Sequence, residues 1–318
     1  MRGSFVPTVA VLAWLGAQAA PSPAAEFPPV GMEPVRVSEH VYYVMGAPGA
    51  ATDNAGFVSN SAFVVTGDAV VVFDTLGTPA LARMLLARIG EITDQPVRRV
   101  YVSHYHADHM YGTQVFEDIG AEIIAPHGAV RYLESPAAAE RLAERRKSLA
   151  PWVDDDTRVV EPHRLLSDEE RFALGDVAFR AVNVGSAHSD GDLILLVQTD
   201  RVLLSGDIIF EGRIPYLGSA NSRQWLEILD ELAGYDVAAV IPGHGRAAED
   251  PAELVTLTRD YLAYMREVMG KAVENWTPFD EAYEATDWSD FIEYPAFFEA
   301  NRANAYGVYL SLERESLD

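Results

Sequence analysis

The sequence predicts an α+β fold in which two mixed β-sheets pack face to face and helices cover both outer faces. Three observations carry this. After residue 35, strand-like segments come first and then alternate with helical ones. The second half of the chain repeats that order. No short repeat of the kind that stacks into a solenoid is present. With 318 residues, 49% of them apolar and 23% charged, the chain can bury a sizeable core of ordinary composition.

The elements follow in order. Val35 to Val44 and Ser61 to Thr66 are rich in β-branched and aromatic residues and read as strands. Ala69 to Phe73 is a continuous apolar run ending in Asp74, which suits a strand buried on both faces, and Gly67-Asp68 before it signals a hairpin. Pro79 to Ile92 has helical apolar spacing with Pro at its start. Val97 to Val102 and Ala121 to Ala125 are further strands with a helix between them, and a helical region runs from Ala129 to Leu149. Its Arg141, Arg145, Arg146 and Lys147 read as a solvated face. In the second half, Val177 to Val184, Leu193 to Thr199 and Val202 to Ser205 are strands, the last two joined by a turn at Asp200-Arg201. Asn221 or Ser222 caps a helix reaching Leu232. Ala238 to Ile241 is a short strand, and Leu254, Leu257, Tyr261, Met265 and Val268 mark a long amphipathic helix. The aromatic-rich segment from 274 to 318 reads as hydrophobic cover packed on the body, with some of it a candidate pocket wall.

Charge and composition exclude several functions. There are 24 basic and 48 acidic side chains, a net charge of −24, so a nucleic-acid partner is excluded on electrostatic grounds. Cysteine is absent, which removes disulfides, a thiolate nucleophile and thiolate metal ligands. Any metal must be held by His, Asp or Glu. Residues 1–19 have the layout of a secretory signal: Arg2, an apolar run from Val6 to Leu15, then Ala17-Gln18-Ala19-Ala20. The expectation is export, to a periplasm or beyond. Residues 20–34 form a Pro-rich leader, residues 35–250 the folded domain, and residues 251–318 a helical extension. No stable membrane insertion is expected, because no later apolar run is long enough to span a bilayer.

The chemistry is concentrated in Ser103-His104-Tyr105-His106-Ala107-Asp108-His109, directly after a strand. Three imidazoles and a carboxylate this close together are too costly to bury without partners. In an extended stretch His104 and His106 share a face and can bind one ion, and the chain then turns so that Asp108 and His109 can face a second. Such donors suit zinc, and also iron or manganese. His188, Asp207 and His244 each sit where a strand meets a loop, flanked by glycines.

The ordered set His104-x-His106-x-Asp108-His109, His188, Asp207 and His244 resembles the metallo-β-lactamase superfamily over roughly residues 35 to 250. The resemblance implies an αβ/βα four-layer sandwich with two metals at one edge between the sheets. His104, His106 and His188 would hold the first metal, Asp108, His109 and His244 the second, and Asp207 would bridge them. Asp74 would be the carboxylate behind the ligands. An Asp at 207, rather than Cys or Ser, resembles the glyoxalase II-like side of the superfamily. The segment Asn54 to Asn60, the Pro242-Gly243-His244-Gly245 turn and the export signal are most similar to the SoxH-like, or quinoprotein-relay, zinc metallohydrolases. The implied activity is cleavage of an ester, thioester or similar bond of a small molecule by a hydroxide bridging two Zn²⁺ ions. Asp108 would be the catalytic residue that orients the nucleophile or passes a proton. The alternatives are β-lactam hydrolysis and a mononuclear iron persulfide dioxygenase.

The other candidates read as structural. His127 ends a strand, and His40 and His163 are surface or capping residues. Tyr105 and Tyr111 flank the ligand loop and read as packing, with pocket lining the competing view. Arg213 and Tyr216 follow Asp207 closely and read as loop structure, with contact to substrate the competing view. Asp190 and Asp192 either support His188 or cap its turn.

Overall fold

The computed structural model describes residues 27–218, 220–249 and 251–317. The expected signal segment and residues 20–26 of the Pro-rich leader lie outside the described residues. The first sheet contains β1 (Val35–Arg36), β2 (Val41–Val44), β3 (Ser61–Val65), β4 (Val70–Phe73), β5 (Val97–Tyr101), β6 (Glu122–Pro126) and β7 (Arg164–Leu166), in that order across the sheet. β1 to β4 pair antiparallel, and β4 to β7 pair parallel. The second sheet contains β8 (Glu169–Leu174), β9 (Val177–Gly185), β10 (Asp192–Val197), β11 (Val202–Phe210) and β12 (Ala239–His244). All its pairings are antiparallel except that of β11 with β12.

β4 shows why two sheets and two helical layers form. Its four residues Val-Val-Val-Phe are all buried. Val71 and Phe73 point into the core between the sheets, where they meet Phe179, Leu193, Leu195 and Leu204. Val70 and Val72 point the other way and are covered by Leu81, Leu85 and Ile89 of α1 (Pro79–Ile92). A strand without a polar face needs a layer on each side. The second sheet repeats this. Leu203 and Ile209 of β11 face outward under α6 (Ser222–Leu232), α7 (Pro251–Glu274) and α9 (Phe297–Glu315). The result is the four-layer αβ/βα sandwich.

Local signals placed most elements. Thr78 caps α1, its hydroxyl accepting from the Leu81 amide, and Asn221 caps α6, accepting from the Gln224 amide. The Gly67-Asp68 and Asp200-Arg201 turns join antiparallel pairs as expected. Four expectations need correction. The strand expected over 35–44 is two strands, because the chain turns at Ser38–His40, where Arg36 bonds the Ser38 and Glu39 carbonyls. The helix expected before β6 is two short ones, α2 (Ala107–Met110) and α3 (Thr113–Asp118), separated at Gly112, which packs so close to the Thr75 carbonyl that no side chain fits. The helical region at 129–149 breaks before Pro136 into α4 (Ala129–Leu133) and α5 (Pro136–Ser148). β11 does not stop at Ser205 but continues to Phe210, so Asp207 lies inside a strand. β7 and β8 were not legible. The six residues of β8 alternate exposed and half-buried, as on a sheet edge.

The extension adds α7, α8 (Phe279–Ala285) and α9 to the outer face of the second sheet. Its Trp288, Phe291 and Phe297 pack with Tyr261 and Tyr264 as hydrophobic cover. No helix among the described residues is long and apolar enough to cross a membrane.

Candidate metal centre

The seven side chains singled out in the sequence converge at one edge of the sandwich, between the sheets. β4 runs into Asp74, the connection from β5 to α2 carries His104 and His106, α2 carries Asp108 and His109, the β9–β10 connection carries His188, β11 carries Asp207 and β12 ends on His244. The sheets are stitched together there. The Leu193 amide donates to the Ser103 carbonyl at 2.8 Å, and the Asn60 amide to the Gly243 carbonyl at 2.8 Å.

Two donor sets result: His104, His106, His188 and Asp207; and Asp108, His109 and His244. Asp207 touches both. Its Oδ2 is 3.8 Å from His104 Nε2, 3.3 Å from His188 Nε2 and 3.4 Å from His244 Nε2, and its Oδ1 is 3.2 Å from His109 Nε2. His106 Nδ1 faces His188 Nε2 at 3.0 Å, and Asp108 Oδ2 is 3.5 Å from both His109 Nε2 and His244 Nε2. Donors bound at about 2.0–2.1 Å around a tetrahedral cation stand about 3.3–3.4 Å apart. The observed spacings, 3.0 to 3.8 Å, bracket that edge length.

The ring tautomers fit as well. Asp74 accepts from the Ser103 amide and the Ser103 hydroxyl, each at 2.7 Å. With its proton committed, the Ser103 oxygen accepts from His104 Nδ1 at 2.9 Å. His109 Nδ1 donates to Asp74 Oδ2 at 2.8 Å, and His244 Nδ1 donates to the Val58 carbonyl at 2.8 Å. In the neutral form of all three rings the Nε2 lone pair is left for the site. Among the described residues His104 Nε2, His109 Nε2 and Asp207 Oδ1 are buried with no hydrogen-bond partner, which is costly for a core but natural for ligands.

The electrostatics agree. Burial drives the His188 imidazole down to about 3, and drives His104 well below the ordinary range with help from its neighbouring imidazoles. Both are neutral donors at pH 7. Burial also works against charge on His109, but Asp207, Asp108 and Asp74 outweigh it and hold its pKa well above the ordinary range. Burial would raise Asp207, yet His109 and His244 keep it well below the usual carboxylate range. An anionic pocket of this kind calls for positive charge at its centre. The residues therefore fit divalent metal binding.

The centre opens into a cavity of about 830 Å³. His106, Asp108, His188, Asp207 and His244 reach it, and Asp108 is the more exposed of the two carboxylates, at 29% against 5% for Asp207. Several structural readings change here. Arg141 and Arg145 line the cavity, so they are not simply a solvated face; Arg146 instead clamps the carbonyls of Asp154, Asp155 and Thr157. Tyr105, Arg213 and Tyr216 line the cavity, whereas Tyr111 is buried in the first core. From the extension Ala296, Glu299 and Ala300 reach the wall, and none of them is aromatic. Asp192 is the support of the His188 turn, accepting from the Ala187 and Ser189 amides and the Ser189 hydroxyl. Asp190 pairs with Arg131 at the rim. Away from the site, the His163 ring accepts from the Ile123 amide, His40 pairs with Asp200, and His127 is exposed.

Sequence reasoning did not assign roles to Ser103, Asn60 or Gly243. Asn60 binds the Pro242 and Gly245 carbonyls, at 2.8 Å each, and so fixes the turn that carries His244. The only linear signal for it is its place at the end of the Asn54–Asn60 segment.

A two-sheet sandwich whose edge gathers these His and Asp donors defines a metal-binding class of protein. The family model of the metallo-β-lactamase superfamily matches residues 55–244, and the chain belongs to that superfamily. It is 20% identical over 238 residues to the linear primary-alkylsulfatase of Pseudomonas sp. (strain ATCC 19151), covering 63% of this chain and 44% of that protein. It is 28% identical over 152 residues to the acyl-coenzyme A thioesterase MBLAC2 of Gallus gallus, covering 45% of this chain and 54% of that one. The chain thus spans about half the length of these relatives. A metallo-β-lactamase from Pontibacter korlensis shares the fold, with a TM-score of 0.58 at 19% identity over 73% of this chain and 99% of that one.

Proposed function

We propose that this protein is an exported di-zinc hydrolase acting on an ester, thioester or similar bond of a small molecule. The observation that carries the reading is Asp207, whose carboxylate lies within 3.2–3.8 Å of donors from both sets. His104, His106 and His188 would hold one cation, Asp108, His109 and His244 the other, and Asp207 both. When bound, such a pair supplies Lewis acidity and an activated water at neutral pH. The chain's own contribution is orientation. Asp74, Ser103 and the Val58 carbonyl fix the imidazole tautomers. Asp108 stands on the cavity side, where its carboxylate can orient a nucleophile or receive a proton. Bound cations would offset the acidic surface locally, with Arg141, Arg145 and Arg213 on the same cavity wall, and so would admit an anionic substrate despite the net charge of −24.

The names of the relatives extend the range of substrates worth testing to alkyl sulfates and acyl-coenzyme A thioesters. The test is metal analysis of the purified protein joined to a panel of carboxylic esters, thioesters, alkyl sulfates and a β-lactam. Two zinc ions per chain with turnover of an ester or thioester is the expected result. One iron per chain with persulfide oxidation, or a preference for the β-lactam, would replace the reading. Export rests on the layout of residues 2–20. Amino-terminal sequencing of the mature protein should begin near Ala20, and an intact Met1 in the cytoplasm would remove that part.

A further inference from the structure

The segment from Gly212 to Gly218 brings Arg213 and Tyr216 into the cavity, and it is held mainly by the carboxyl-terminal extension. The extension lies beyond the residues that define the superfamily match. Asn304 of α9 is fully buried, and its amide is completely used. Its Oδ1 accepts from the Leu217 amide at 2.9 Å, and its Nδ2 donates to the Pro215 carbonyl at 2.8 Å and to the Tyr261 hydroxyl at 3.0 Å. Tyr261, on α7, donates onward to Asn301 Oδ1 at 2.8 Å, and Asn301 Nδ2 donates to the Tyr283 hydroxyl of α8 at 3.1 Å. The Ile214 amide donates to the Pro295 carbonyl at 3.0 Å. Gly307 lets the helix pass close: a Cβ there would stand 3.1 Å from the Gly218 carbonyl oxygen.

Buried amide and phenol side chains are costly unless fully bonded, so a satisfied network fixes one arrangement. This one joins all three helices of the extension to a single cavity loop. The loop carries a cation in need of an acceptor: Arg213 Nε is buried without a partner, and among the described residues Arg213 forms no ion pair.

We propose that Asn304 is a positioning residue that fixes the Gly212–Gly218 loop, so that the extension sets how Arg213 and Tyr216 meet the substrate. This deepens the hydrolase reading and rests on it for the word substrate. The anchoring itself stands on the hydrogen bonds alone.

The test uses the full chain with its metal bound. In Asn304→Ala, the Leu217 amide loses its acceptor and should exchange with solvent about tenfold faster or more. KM for the best substrate of the panel should rise about tenfold, with kcat and metal content little changed. In an Arg213→Ala background the same substitution should add little to KM, because the two act through one loop. Tyr261→Phe keeps the ring and removes one link, so it should show the same signature at smaller size, and it covers the case in which Asn304→Ala fails to fold. Unchanged exchange at Leu217 would overturn the anchoring. Faster exchange with unchanged KM would overturn the positioning role and leave Asn304 a stability residue. If the wild-type protein turns over nothing in the panel, the hydrolase reading falls, and exchange at Leu217 still decides the anchoring.

Discussion

Gly243 leaves the space that Asp207 occupies. A Cβ built on Gly243 would stand 1.9 Å from Asp207 Oδ1 and 2.7 Å from the Gly206 carbonyl carbon. Real atoms do not approach so closely, so the position of the Asp207 carboxylate depends on the absence of a side chain at Gly243. Gly243→Ala should displace Asp207 and weaken metal binding on the order of 10–100-fold or more. Titration with zinc against a competing chelator reads this directly, and wild-type affinity in the variant would show that the centre tolerates a shifted Asp207.

Among the described residues the His106 ring has no carboxylate or carbonyl behind it like those behind His109 and His244, and its Nδ1 meets His188 Nε2 at 3.0 Å. His106→Ala should abolish turnover and lose metal. A variant with full activity and two bound ions would remove His106 from the ligand set.

Asp74 organises the centre without reaching the cavity. It accepts from Ser103 twice and from His109 once, all while buried. Asp74→Ala should free the His104 and His109 rings to rotate and cost about 10–100-fold in metal affinity. It also strands the Ser103 amide, which should destabilise the fold by about 1–3 kcal/mol. Denaturant unfolding and zinc titration separate the two effects, and no change in either would refute the role.

At the opposite end of the strands, His40 Nδ1 meets Asp200 Oδ1 at 2.7 Å, and the Ser38 hydroxyl and the His40 amide donate to Oδ2. Burial opposes charge on both the ring and the carboxylate, but these bonds outweigh it, so His40 lies above its ordinary 6.5 and Asp200 below its ordinary 3.8. The contribution from His40 is complete below pH 6.5 and fades as pH rises through its raised value. That from Asp200 is complete above pH 3.8 and fades as pH falls through its lowered value. His40→Asn should therefore lose most stability, relative to wild type, between those limits and less in alkaline solution. Melting temperatures across pH decide it: a difference that grows with alkalinity contradicts the pairing.

Much of the centre was legible because its donors sit at fixed places in the chain. His104, His106, Asp108 and His109 fall within six residues after a strand, and His188, Asp207 and His244 are ringed by glycines. The strands of the inner core were legible too, since Val70 to Phe73 has no polar residue and can only be buried on both faces. β8 escaped notice because Glu169 to Leu174 is a half-exposed edge with no such run. The extent of β11 was misjudged because Gly206 and Asp207 look like a turn. Pairing with β12 carries the strand through them, with an irregular register and Gly206 at a φ of +52°.

By itself, the order of residues determined the sandwich, the donor set and the demand for metal rather than thiol chemistry. These follow from local periodicity and from the identity of side chains. Only the tertiary structure decided which groups stand behind the ligands and which line the cavity. Arg141, Arg213 and Glu299 lie on three separate elements, and Asn304 grips a loop almost ninety positions before it. Nothing local in the chain encodes such meetings, because they are made when two sheets and an added helical layer close on one another.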